Sequence, residues 1–164
     1  MERKHSEYIE KLYVSSYDML FTYAMALLGS ETAAEEAVQE SFRIACMKPE
    51  ALIGSYNPRG WLIKAMRYTV KNMKRTNMRR RENTDLELYE QEHHLVGDGE
   101  VNEYAEIEFS DLVTDEEYSM LKWQTLFKIP IRDIAAAMGI TEEACKKRLQ
   151  RTKKRMRKIL SEKI

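Results

Sequence analysis

The sequence predicts an all-α protein. It reads as two small helical domains, a four-helix N-terminal module (residues 1–81) and a C-terminal helix-turn-helix (112–164), joined by an acidic flexible linker (82–111). Three observations predict this. Apolar residues recur at spacings of three and four on both sides of the linker, which is the helical period. Glycine (6) and proline (3) are scarce among 164 residues, against the turn-rich composition of all-β folds. The 27 basic and 27 acidic residues cancel in total but are sorted into blocks. Residues 51–81 carry 9 basic and no acidic side chains, 82–121 carry 14 acidic and no basic ones, and 144–164 carry 10 basic against 1 acidic. Such asymmetry points to nucleic acid or membrane surfaces.

Each element follows from its own signals. Residues 6–28 place Ile9, Leu12, Tyr13, Leu20, Phe21, Ala24, Leu27 and Leu28 on one helical face, with Gly29 as C-cap and Ser16-Tyr17-Asp18 as a possible break into two helices. Thr32 with Glu35 has the form of a capping box opening a helix to about Met47, whose inner face is Ala34, Ala37, Val38, Ser41, Phe42 and Ala45. Pro49 and Gly54 predict a loop. Asn57-Pro58 then starts a helix over 58–81 that buries Trp61, Leu62, Ala65, Met66 and Val70. Residues 82–111, acidic and containing Gly97-Asp98-Gly99, predict a tether. Thr114 with Glu117 predicts a second capping box, followed by helices over 115–127, 131–138 and 141–160.

Residues 131–141 have the organisation of a helix-turn-helix. Ala135 must be small where the second helix crosses, and Gly139 takes the turn. Ile140, Cys145 and Leu149 fill the inside, while Thr141 caps the second helix. Its outward face then offers Lys146, Lys147, Arg148, Gln150, Arg151 and Lys153. Arginine and glutamine suit base edges and lysine suits phosphates, as a helix in a major groove requires. An ordinary αα-hairpin with a solvated basic face would share the Ala/Gly spacing, but so dense a run of cations repels itself unless a polyanion neutralises it. The helix over 58–81 supplies a second cationic surface with Arg59, Lys64, Arg67 and Lys71, among which Tyr56, Trp61 and Tyr68 are interleaved. Rings among cations suit unpaired bases, although Trp61 also fits a core position.

Several function classes are excluded. His93-His94 are adjacent and cannot share a helix face as His-x3-His ligands do, so no metal site is expected. His5 is terminal and no phosphate-binding glycine loop occurs, so neither cofactor nor catalytic residue is expected. Cys46 and Cys145 form no CxxC and fit a reducing compartment. The N-terminal residues lack a signal-peptide pattern, and the longest apolar run, 19–28, is too short to span a bilayer. A cytoplasmic protein without membrane insertion is expected.

Residues 34–42 (Ala-Glu-Glu-Ala-Val-Gln-Glu-Ser-Phe), then Trp61-Leu62 leading a basic helix, resemble region two of the extracytoplasmic-function (ECF) sigma factors. Residues 129–155, with Lys146-x-Arg148-Leu149-x-Arg151, resemble their region four. The resemblance implies a subunit directing core RNA polymerase to promoters and assisting promoter melting. It assigns Glu35, Glu36, Gln39 and Glu40 to the clamp helices of the largest polymerase subunit. It assigns Tyr56, Asn57, Arg59, Trp61, Lys64, Arg67 and Lys71 to the minus-ten element. Thr141, Lys146, Lys147, Arg148, Gln150, Arg151 and Lys153 fall to the minus-thirty-five element. It also implies an anti-sigma partner and a linker threading nucleic-acid channels of the polymerase; the acidity of 82–111 further suggests that the stretch mimics RNA there or folds back on the cationic helices. Within the pattern, Ala37 stands where a larger aliphatic residue is usual, Glu142-Glu143 begin a helix that normally starts with small residues, and Lys147 replaces a usual serine. Competing readings are a helix-turn-helix regulator that never engages polymerase and an RNA-binding adaptor using the aromatic-basic helix.

Overall fold

The computed structural model describes residues 2–82 and 113–162. Seven helices occupy them: α1 (Arg3–Leu28), α2 (Glu31–Met47), α3 (Pro49–Ile53), α4 (Pro58–Glu82), α5 (Asp115–Thr125), α6 (Ile131–Met138) and α7 (Glu142–Glu162). No strand occurs among the described residues. The tether expected at 82–111 falls almost wholly outside them.

Helix α1 runs unbroken through Ser16-Tyr17-Asp18, so the expected split does not occur. Ser16 is fully buried, and the Thr22 hydroxyl is satisfied within the helix, donating to the Asp18 carbonyl at 2.7 Å. Gly29 ends α1 at φ 69°, with its N–H donating to the Met25 carbonyl. That left-handed residue fixes the start of α2 two residues early. Ser30, in extended conformation, accepts from the Ala33 N–H at 3.3 Å, so Ser30 is the N-cap in place of the expected Thr32–Glu35 box. The loop expected at Pro49–Gly54 is a helical turn, α3, because a proline at the first helical position opens a helix as readily as it breaks one.

The other local signals hold. Asn57 Oδ1 accepts from the Gly60 N–H at 3.1 Å at the head of α4. Thr114 and Glu117 form both bonds of the capping box, at 3.2 and 3.1 Å. Helix α5 ends at Thr125, two residues short of the expected Phe127. Helix α6 closes on Gly139 (φ 68°), where the Ile140 N–H reaches the Ala135 carbonyl and the Gly139 N–H that of Ala136. These two bonds make a Schellman turn.

In the first segment α1, α2 and α4 pack together around Leu20, Tyr23, Ala24, Ala34, Val38, Trp61, Leu62 and Met66. Alanines at the α1–α2 seam (Ala24, Ala34, Ala37) let the helix axes approach closely. In the second, α5–α7 enclose Met120, Leu121, Ile134, Ala135, Cys145, Leu149 and Met156. The second segment is also in contact with the first: α5 and α7 both lie against α1.

Candidate nucleic-acid interface

Packing of Ala34, Ala37, Val38, Ser41, Phe42 and Ala45 against α1 and α4 turns the opposite face of α2 to solvent. Glu35, Glu36 and Gln39 are exposed there. Glu40 is half-buried and held by both guanidinium edges of Arg43, whose Nη1 lies against Met47. The acidic face continues into an aromatic shelf that periodicity did not reveal. Tyr13, expected in the core, is 39% exposed; it meets Phe42 edge-on at 4.8 Å and Tyr17 at 5.5 Å, beside the exposed Val14. Burial pushes the Tyr17 phenol above its ordinary value, with Glu35 adding to the effect. The shelf and the acids therefore form one surface.

The residues expected to form a single aromatic-cationic face on α4 divide into two groups. Tyr56 (89% exposed) and Arg59 are open to solvent. Asn57 is half-buried, with its side chain engaged as the α4 cap, and Lys71 is half-buried further along. Trp61, Lys64 and Arg67 are enclosed, at 0%, 2% and 3% exposure. All seven positions from 61 to 67 are buried, so this part of α4 has no solvated face. Desolvation lowers the Arg67 guanidinium below its ordinary value, with Tyr68 opposing. Trp61 is thus a core residue here, and a polyanion can meet Lys64 and Arg67 only after the surrounding structure rearranges.

On α7 the helical period sorts the cations more finely than composition could. Thr141 spends its hydroxyl on the Ala144 N–H at 3.1 Å, fixing the start of the helix. Lys146, Lys147, Gln150 and Arg151 are exposed and lie at i, i+1, i+4 and i+5, a compact stripe. Arg148 and Lys153 are turned toward α5 instead. Arg148 Nη1 pairs with Glu116 at 3.3 Å, and Lys153 Nζ donates to Gln124 Oε1 at 2.8 Å. Burial lowers the Lys153 ammonium, and neighbouring Arg157 adds to the shift. Among the described residues no group of three or more His, Cys, Asp or Glu side chains is arranged to hold a metal ion; His93 and His94 lie outside them.

Comparison with known families gives one match. Residues 12–80 match Sigma-70 region 2. The region 2 match begins in the middle of α1 and ends near the end of α4, taking in both the acidic face of α2 and the basic helix. It supports a sigma factor, the class of protein through which RNA polymerase recognises promoters, and region 2 implies interaction with core polymerase and promoter DNA. Sigma factors are non-enzymatic transcription initiation factors, and the match points to that class. No curated protein matches the chain. The match ends before α5–α7. No helix among the described residues is long and apolar enough to cross a membrane.

Proposed function

We propose that the chain is an ECF-type sigma factor, with region 2 within residues 1–81 and a region 4 helix-turn-helix within 112–164, two domains joined by the acidic linker 82–111. The observation that carries this reading is the coexistence of an exposed acidic face on α2 with cationic helices on both sides of the linker. A regulator that only binds duplex needs the second cationic helix alone. In the proposed role Glu35, Glu36, Gln39 and Glu40 dock on the polymerase clamp helices. Tyr56, Asn57 and Arg59 meet bases of the minus-ten element first, and Trp61, Lys64, Arg67 and Lys71 contribute once that part of α4 is opened. Lys146, Lys147, Gln150 and Arg151 read the minus-thirty-five duplex behind the Thr141 cap, while Arg148 and Lys153 hold the recognition helix against α5. The protein works in the cytoplasm, and an anti-sigma factor covering these surfaces completes the scheme.

Run-off transcription with purified core polymerase tests it. The wild type is expected to support initiation, and Glu35→Ala/Gln39→Ala/Glu40→Ala is expected to lower run-off product by at least about tenfold, the equivalent of about 1.4 kcal/mol of binding. Equal activity of the triple variant would refute the interface assignment. Duplex binding without core association would establish the helix-turn-helix regulator instead.

The division of cations on α7 gives a second expected result. For binding to an arbitrary 30-base-pair duplex, Lys146→Ala/Lys147→Ala/Arg151→Ala should reduce the slope of log affinity against log salt by about 2–3, close to 0.9 for each phosphate no longer neutralised. Arg148→Ala and Lys153→Ala should leave that slope almost unchanged. A larger change in slope from the second pair would place them on the DNA.

A further inference from the structure

Two solvent-facing stripes of the molecule carry opposite charges in one spacing. On α2, Glu35, Glu36 and Gln39 are exposed and Glu40 is half-buried; on α7, Lys146, Lys147, Gln150 and Arg151 are exposed. Both sets fall at i, i+1, i+4 and i+5, so each covers about 7.5 Å of helix axis on one side. The order is acid, acid, glutamine, acid on α2, and lysine, lysine, glutamine, arginine on α7.

We propose that these two stripes bind each other between copies: the acidic stripe of α2 in one copy takes the cationic stripe of α7 in a second copy of this chain. The contact itself goes beyond the sigma reading and does not depend on it. Its consequence, that the surfaces assigned to polymerase and to duplex are covered together, rests on that reading.

Within one chain the stripes are turned away from the packing. Helix α2 packs on α1, α3 and α4, and α7 on α1, α5 and α6. Their own neighbours neutralise them only in part. Arg43 holds Glu40, and Glu143 lies 3.5 Å from Lys147 with side chains 80% and 64% exposed, a weak pair that exchanges readily. Glu35, Glu36 and Lys146 make no ion pair among the described residues. The matched spacing supplies the register. With the helices running in one direction, Glu35 and Glu36 stand level with Lys146 and Lys147, and Gln39 and Glu40 level with Gln150 and Arg151. Opposite charges therefore meet at both ends of the stripe and like charges nowhere, an arrangement that fixes register and disfavours other alignments.

Nothing in the overall charge opposes such self-association. The 27 basic and 27 acidic residues leave the copies without net repulsion, and a net charge near zero favours association. One helix lying on one helix covers less than the about 1,200 Å² of a stable complex, so the contact is transient and sensitive to salt. The two stripes are different surfaces, so a pair of copies keeps one free stripe of each sign. Association is head-to-tail and adds further copies as concentration rises.

Sedimentation equilibrium of the full-length protein tests the contact. At about 0.01 M salt, where charges act over about 30 Å, raising the wild-type concentration should raise the weight-average mass at least about twofold. At about 1 M salt the mass should stay that of one chain. E35K/E36K and K146E/K147E should each remain single chains at low salt, with helix content unchanged by circular dichroism. Combined in one chain, E35K/E36K/K146E/K147E exchanges the signs of the two stripes at unchanged net charge and should restore association. E7K/E10K/K146E/K147E has that same net charge, with its reversed acids at exposed positions of α1, and should remain a single chain. A wild type that stays a single chain at low salt overturns the proposal, as does association that persists in either pairwise variant. Association of the α1 control overturns it too, because charge without register would then suffice. Run-off transcription plays no part in these readouts, so loss of the promoter reading leaves self-association to be decided by the masses.

Discussion

Replacing Trp61 by alanine is expected to destabilise the protein by about 3–5 kcal/mol, the range for removing a fully buried aromatic side chain. Trp61 is wholly enclosed between buried neighbours on α4 and the α1–α2 pair. With total stabilities of about 5–15 kcal/mol, a loss of that size consumes much of the margin. The midpoint of thermal unfolding should fall by about 12 °C or more, at about 4–8 °C per kcal/mol for a helical unit of this size. Trp61→Phe should cost far less. The indole N–H finds no hydrogen-bond acceptor among the described residues, and an orphaned buried donor costs about 1–3 kcal/mol that phenylalanine does not incur. Thermal melts of the two variants check this. If Trp61→Ala melts like the wild type while losing affinity for unpaired DNA, the side chain is a base-stacking platform already available in the free protein, and its assignment to the core is wrong.

Trp61 also marks where sequence reasoning reached its limit. Signals written within one or two turns were legible: the Asn57-Pro58 start of α4, the Thr114–Glu117 box and the Gly139 turn all form as the residues predict. Each depends on bonds between neighbours. The start of α2 was misplaced because Ser30 and Thr32 both carry capping hydroxyls, and the left-handed Gly29 selects the first. The burial of Lys64 and Arg67 was not legible. Amphipathic analysis assumes that a helix keeps one solvated face, and residues 61–67 of α4 have none. The partnering of cations on α7 was hidden for the opposite reason. Arg148 and Lys153 fit the basic outer face by composition, but their partners Glu116 and Gln124 are 32 and 29 residues away, and only the packing of α5 on α7 brings them together. The contact of Arg157 with Ala26, 131 residues apart, is the extreme case.

Glu117 is expected to be the acid-sensitive point of the α5–α7 segment. Its carboxylate, 13% exposed, closes the capping box with Thr114, accepts from the Thr152 hydroxyl at 2.7 Å and pairs with Arg155. Burial alone would raise its pKa, but the hydrogen bonds from Thr152, Arg155 and Thr114 outweigh that and hold it down at about 2, against an ordinary 4.5. A depressed folded-state value means that the carboxylate stabilises the fold at any pH above its ordinary value. The contribution, about 2–3 kcal/mol, is lost as pH falls from about 5 toward 2. Glu117→Ala should remove it at neutral pH. Glu117→Gln is the sharper test: glutamine keeps the capping box but gives Arg155 no charge. Denaturation measured from pH 7 to pH 2 should show the wild type converging on the glutamine variant as the pH falls, because only the wild type has this carboxylate to protonate. Other carboxylates titrate in both proteins and cancel in the difference. Two curves that fall in parallel would show that Glu117 gains nothing from its charge, and that α5 is fastened to α7 by packing around Met120, Leu149 and Met156 alone.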